Sequence, residues 1–149
     1  TKIMDMEINW LAIIAASILP LVTGFIWYHP KVFGTAWMKE TGMTEEKAKT
    51  MNPGKTYGLA LVFAFILAFF IWPMVFLGGA PPDDLHGTEA FLTFKHGVLH
   101  GAMLALFVVL PVFATNALFE MKSFKYVVIN VGYWVVTMAF MGGIINGWT

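Results

Sequence analysis

The chain contains no cysteine and no arginine, and these two absences exclude several classes of protein. Without cysteine there is no disulfide framework, no thiolate nucleophile and no cysteine metal site. Without arginine, and with a formal net charge of zero, the chain offers no concentrated basic surface of the kind that binds nucleic acid. Nucleic acid is therefore not expected as a partner.

Charged residues of any kind are scarce, at 12% of the chain against about 25% in a soluble domain, while 58% of residues are apolar. Four stretches carry no Lys, Arg, Asp or Glu: residues 8–30, 56–82, 96–119 and 126–149. A bilayer core about 30 Å thick needs about 20 apolar residues in a helix. We therefore predict an all-α, polytopic membrane protein, a single membrane domain over 1–149 with transmembrane helices at about 8–29, 56–77, 92–118 and 125–147.

The first apolar stretch differs from a cleavable signal peptide. Acidic Asp5 and Glu7 precede it, and bulky Trp27 and Tyr28 end it, whereas a signal peptide has a basic start and small residues at its cleavage site. We expect this stretch to remain in the mature protein as a membrane helix.

The distribution of lysines predicts the orientation of the helices, because cytoplasmic loops retain positive charge. Seven of the nine lysines lie in the first and third connections. The second connection, by contrast, carries Asp83, Asp84 and Glu89. We therefore place loop 30–55 and the third connection in the cytoplasm and both termini outside it, in a bacterial cytoplasmic membrane.

Loop 30–55 carries signals for two short helices. Pro30 is expected to stop the first span, and apolar residues from Val32 onward recur at helical spacing, which suits an interfacial helix ending at Gly42. Thr44 reads as the N-cap of a second short helix, and 52–54 (Asn-Pro-Gly) is expected to stop it before the next span. Residues 78–84, on the other side, have turn composition.

A string of aromatic and small residues at the end of the first span resembles one known family. It consists of Trp27, Tyr28, Pro30, Phe33, Gly34 and Trp37. With weaker glycine pairs in the third and fourth spans, it resembles domain-of-unknown-function family 1761 over nearly the whole chain. The resemblance implies a small four-span membrane protein and implies no activity. From the residues alone, the string reads as an interfacial anchor, with a pocket for a lipid headgroup or a quinone-like molecule as the alternative.

The third span contains the main candidates for a polar or packing site: His96, Gly97, His100 and Gly101. Histidines four apart share a helix face and can reach one metal ion, but no carboxylate lies in any span to complete a ligand set. The two glycines form a small-xxx-small pair typical of close helix packing. We therefore predict packing, no metal site and no cofactor, with His100 donating to a backbone carbonyl or to a polar side chain of another span (Ser17, Thr137, Asn130 or Asn146).

The function that this pattern favours is a non-catalytic association module, either a homo-oligomer or an accessory subunit of a membrane complex. Its partners would be the lipid bilayer and other membrane chains or itself. One alternative is a small transporter or channel with a pathway between protomers, lined by His96, His100, Asn130 and Asn146. The other is a metal-dependent or redox membrane protein that uses His96 and His100.

Overall fold

The computed structural model describes residues 8–76 and 91–148, and the regular structure in them is entirely helical. Helix α1 spans Trp10–Trp27, α4 Pro53–Phe76 and α7 Phe124–Gly147. The third membrane helix is composite: α5 at Phe94–Leu104, a π-helical segment at Ala105–Val109 and α6 at Leu110–Phe119. These four helices are long and apolar enough to cross a membrane, which confirms the predicted fold class. The predicted turn at 78–84 lies outside the described residues.

Polar side chains set the starts of these helices. Asn9 Oδ1 accepts a hydrogen bond from Ala12 N at 3.1 Å, and Ser123 Oγ accepts one from Tyr126 N at 3.0 Å. Thr93 Oγ1 accepts from His96 N at the start of α5. Each bond satisfies an amide that has no partner inside its own helix.

Helix α7 lies at the centre of the bundle and packs against α1, α4 and α5. Half of its most apolar 18-residue window is buried, against 11% for the third membrane helix. The core that α7 shares with α1 and α4 combines small, branched and methionine side chains, and the alanines among them permit close helix approach. The core residues include Ile13, Ala16, Ala68, Ile71, Val75, Met138, Met141 and Ile145.

The loop after α1 folds only partly as the sequence predicts. Gly42 ends α2 (Thr35–Thr41) in the left-handed conformation, with φ at 68°, and Thr44 caps α3 (Glu45–Lys49) by accepting from Lys47 N. The first turn of this loop differs from the prediction, because a π-helical segment already begins at Pro30 rather than at Val32. Proline suits this first position since its missing N–H would have no partner there.

The prediction that 52–54 stops the second short helix was wrong. Helix α3 ends at Lys49, and Pro53 is instead the first residue of α4. Asn52 Oδ1 accepts from Lys55 N at 3.1 Å and so caps α4. A proline is tolerated in the first turn of a helix, so the same three residues that can end one helix here begin the next.

Pro111 explains the irregular third membrane helix. Its ring would clash with the carbonyl group of Phe107, four residues earlier, and it offers no N–H to bond that carbonyl. The helix widens to π geometry over Ala105–Val109, in the turn that contains Phe107, and returns to α geometry from Leu110, one residue before Pro111. The wider turn accommodates the proline within a continuous membrane helix.

Candidate functional site

The lysine-rich end of the bundle, meaning the end that carries loop 30–55 and Lys122, holds a cluster of aromatic and polar side chains. Tyr28 caps α1 and its hydroxyl group donates to Asn130 Oδ1 at 2.7 Å. Asn130 Nδ2 in turn donates to the carbonyl oxygen of Tyr126 at 2.9 Å. The Tyr28 ring meets Trp37 edge-on at 5.5 Å between centroids and lies 5.2 Å from Tyr133. These contacts join the end of α1, helix α2 and the first half of α7.

The rest of the predicted aromatic string completes this connection. Trp27 Nε1 donates to Ile129 O at 3.0 Å, and the Trp27 ring lies 4.5 Å from Phe33. Gly34 is buried, and a methyl group on it would collide with the carbonyl oxygen of Tyr28. The chain can therefore make its tight turn after α1 only with a residue that lacks a side chain at this position.

Electrostatics at Tyr28 favour a permanent hydrogen-bond donor. Burial raises the pKa of Tyr28 well above its ordinary value, and nearby Tyr133 and Tyr126 raise it further. The hydroxyl group therefore stays protonated at neutral pH. A general acid or base needs a pKa near the working pH, so this geometry suits cohesion between elements better than proton transfer.

Two polar contacts between α1 and α7 extend this cluster toward the middle of the bundle, and the sequence analysis missed them. Tyr133 donates to Pro20 O at 2.6 Å, and the hydroxyl groups of Thr23 and Thr137 lie 2.7 Å apart. The available signal was spacing, because Asn130, Tyr133 and Thr137 follow one another at i, i+3 and i+7 and so share one face of α7.

The two histidines of α5 lie at the opposite end and are half-buried. The ring centroids of His96 and His100 are 4.3 Å apart, and the His96 ring is 5.3 Å from that of Phe91. Within residues 8–76 and 91–148, no group of three or more His, Cys, Asp or Glu side chains is placed to hold a metal ion. Two imidazoles alone supply fewer ligands than the three or four of a protein zinc site.

The glycines of α5 lie in a seam against α7. A methyl group on Gly97 would collide with the carbonyl oxygen of Gly142, and one on Gly101 would collide with that of Met138. A methyl group on Gly142 would likewise strike the carbonyl oxygen of Gly97. The two backbones are therefore in direct contact, which is the approach that small residues allow between membrane helices.

Asn146 closes the same end of the bundle. The residue is fully buried, and its Nδ2 donates to the carbonyl oxygens of Phe91 and Thr93, both at 2.8 Å. Its Oδ1 has no hydrogen-bond partner among the described residues. Asn146 thus fixes the segment that leads into α5 onto the end of α7, because its amide group bonds two backbone carbonyl oxygens of that segment.

The structure divides the polar residues that the sequence suggested as one group. His96, His100 and Asn146 lie at one end, whereas Asn130 bonds Tyr28 at the lysine-rich end. Asn130 and Asn146 are separated by 16 residues of one helix, or about 24 Å at 1.5 Å per residue. They are therefore parts of two separate clusters.

Comparison with known proteins identifies the family. The family model described as "Protein of unknown function (DUF1761)" matches residues 11–146, so the chain belongs to that family and the resemblance is confirmed. No curated protein and no solved structure matches the chain.

Proposed function

We propose that this member of a family of unknown function acts in a membrane as a non-catalytic association module, either a homo-oligomer or an accessory subunit of a larger complex. The supporting observation is the uneven burial of the four apolar helices. Helix α7 is half-buried, whereas 22% of the α4 window and 11% of the third membrane helix window are buried. The two outlying helices thus retain long apolar faces for other chains or lipid.

The polar side chains support the same role by their placement. Tyr28 and Asn130 bond each other, Thr23 meets Thr137, and Tyr133 bonds the α1 backbone. Polar groups that bond each other between helices stabilise the protomer, and they are then not available to bind a substrate. A bundle that is held together by polar contacts between α1 and α7 keeps its apolar outer faces for contact with other membrane chains.

Native mass spectrometry of protein gently extracted from its own membrane tests this role, with metal content measured on the same sample. We expect masses above that of the 16.6 kDa chain by whole multiples or by a protein-sized partner. A monomer that carries only lipid would overturn the proposal. A monomer with stoichiometric metal would overturn it in favour of the histidine-dependent alternative.

The variant His100→Ala distinguishes the association role from the transporter alternative. If the role is association, this variant should not change the solute flux measured in vesicles, since His100 then lines no transport pathway. Loss of a measured flux with the assembly intact would contradict the association role.

A further inference from the structure

Two histidines and a methionine share one face of α5. His96, His100 and Met103 follow one another at i, i+4 and i+7 within Phe94–Leu104, a spacing that puts all three side chains on one side of a helix. The rings of His96 and His100 lie 4.3 Å apart between centroids, so these two side chains are in contact. This face of α5 therefore presents two imidazole groups and a thioether in one row.

A second methionine meets this face from another helix. Met74, in the last turn of α4, lines a pocket of about 180 Å³ together with His100 and Met103. Phe107 of the π-helical segment borders the same pocket, and π-helical turns are frequent at functional sites. Met74 is 58% exposed and Met103 41%, so the pocket can be entered from outside the bundle. Imidazole and thioether groups from two helices thus converge on one accessible pocket.

The chemistry of these donors narrows the choice of ligand. Thioethers select soft metal ions such as Cu(I), and imidazole binds zinc, copper, iron and nickel, so copper suits both kinds of donor. Zinc sites in proteins are built instead from cysteine, histidine and carboxylate ligands. Residues 56–82 and 96–119 contain no Asp or Glu, so neither span supplies a carboxylate to neutralise a divalent ion. A soft, monovalent cation therefore fits this set of neutral donors best.

We infer that Met74, His100 and Met103 bind one Cu(I) ion. His96, one turn before His100, is a fourth donor on the same face. Methionine has three rotatable bonds, so each sulfur atom can turn toward the ion without a change in the backbone. An imidazole binds a metal through one nitrogen and hydrogen-bonds through the other, so further contacts of the histidine rings are compatible with binding. The expectation of no metal site depended on the missing carboxylates, and here the methionines supply the additional donors.

Competition with a coloured Cu(I) chelator tests the site on the purified full chain in detergent, kept anaerobic and reduced, with any histidine tag removed. We expect one Cu(I) ion per chain. Met74→Leu and Met103→Leu keep the side-chain volume and remove a donor, so each should weaken Cu(I) binding about tenfold or more and leave the circular dichroism unchanged.

Met51→Leu is the matched control, because Met51 lies in loop 30–55 and is 42% exposed, close to the exposure of Met103. This variant should bind Cu(I) as tightly as the unchanged chain. A chain that binds no Cu(I) would overturn the inference, and so would Met74→Leu and Met103→Leu variants that bind as tightly as the control.

X-ray absorption spectroscopy of the copper-loaded chain identifies the donor atoms directly. We expect nitrogen and sulfur neighbours around copper, and loss of the sulfur neighbours in the double variant Met74→Leu/Met103→Leu. Copper with nitrogen neighbours alone would overturn the site. The inference is independent of the association role, because assembly is measured by mass and this site by Cu(I) binding. A copper-loaded monomer would support the site and overturn association, and an assembly that binds no Cu(I) would do the reverse.

Discussion

Tyr28 lies where α1 ends, and its hydroxyl group joins that end to α7 through Asn130. Tyr28→Phe removes the donor and leaves Asn130 Oδ1 without this bond. We expect the free energy of unfolding to fall by about 0.5–2 kcal/mol, the range for hydrogen bonds between membrane helices. Unfolding in mixed detergent micelles, followed by circular dichroism, measures it. Tyr57→Phe is the control, because Tyr57 is 52% exposed in the first half of α4, and an equal loss in both variants would contradict the prediction.

Gly97 controls the approach of α5 to α7. Gly97→Ala places a methyl group against the Gly142 carbonyl oxygen, and because that neighbour is backbone the helices must separate. We expect a loss of about 1–3 kcal/mol in the free energy of unfolding, measured as above. Gly58→Ala is the matched control, since its methyl group meets nothing within 4 Å and alanine favours helix by about 1 kcal/mol. A Gly97→Ala protein as stable as the control would show that the seam yields without cost.

At the scale of whole elements, the correct predictions concern features that depend only on neighbouring residues in the chain. Long uncharged stretches predict membrane helices because lipid leaves no alternative for backbone hydrogen bonds. Gly42 and Thr44 act through their own conformation and side chain, so their roles are visible without the fold. Pro53 was misassigned because its effect depends on whether it stands inside or at the start of a helix.

The contacts between elements were beyond the sequence. Nothing local indicates that Tyr28 meets Asn130, 102 residues away, or that Gly97 meets Gly142. The residues were recognisable as polar or small, and their partners depend on how four apolar helices arrange themselves around α7. The pattern of a single apolar helix carries little information about its neighbours, because lipid and protein contacts are both apolar.

Uneven packing of the helices predicts uneven protection from hydrogen exchange. In detergent, backbone amides of α7 should exchange more slowly than those of α6, because α7 is packed on several sides and α6 mainly on one. Both helices are apolar and both are covered by the micelle, so the difference reports packing within the protein. Hydrogen–deuterium exchange with mass spectrometry of peptides from Leu110–Phe119 and Phe124–Gly147 measures it. Equal protection in the two helices would contradict the central position of α7.

At the scale of the whole molecule, the two ends of the bundle differ in kind. The lysine-rich end carries the aromatic cluster, helices α2 and α3, and a side-chain contact in which Ser123 donates to the carboxylate of Glu40. The other end is closed by Asn146 and by Phe94, which lies against Gly143 and Gly147. Because seven of the nine lysines lie in the connections at one end, we predict one orientation in a bilayer, with the lysine-rich end in the cytoplasm.

That direction is testable because single cysteines can be introduced into a cysteine-free chain. We expect Trp148→Cys, at the end of α7, to react with a membrane-impermeant maleimide added to intact cells. Met121→Cys, 92% exposed at the lysine-rich end, should react only after the membrane is permeabilised. Each variant is the control for the other, since full labelling of both after permeabilisation shows that both thiols are accessible. Loops rich in lysine stay in the cytoplasm because moving positive charge across the membrane is costly. The reverse order of labelling would place the lysine-rich end outside the cell and contradict the predicted orientation.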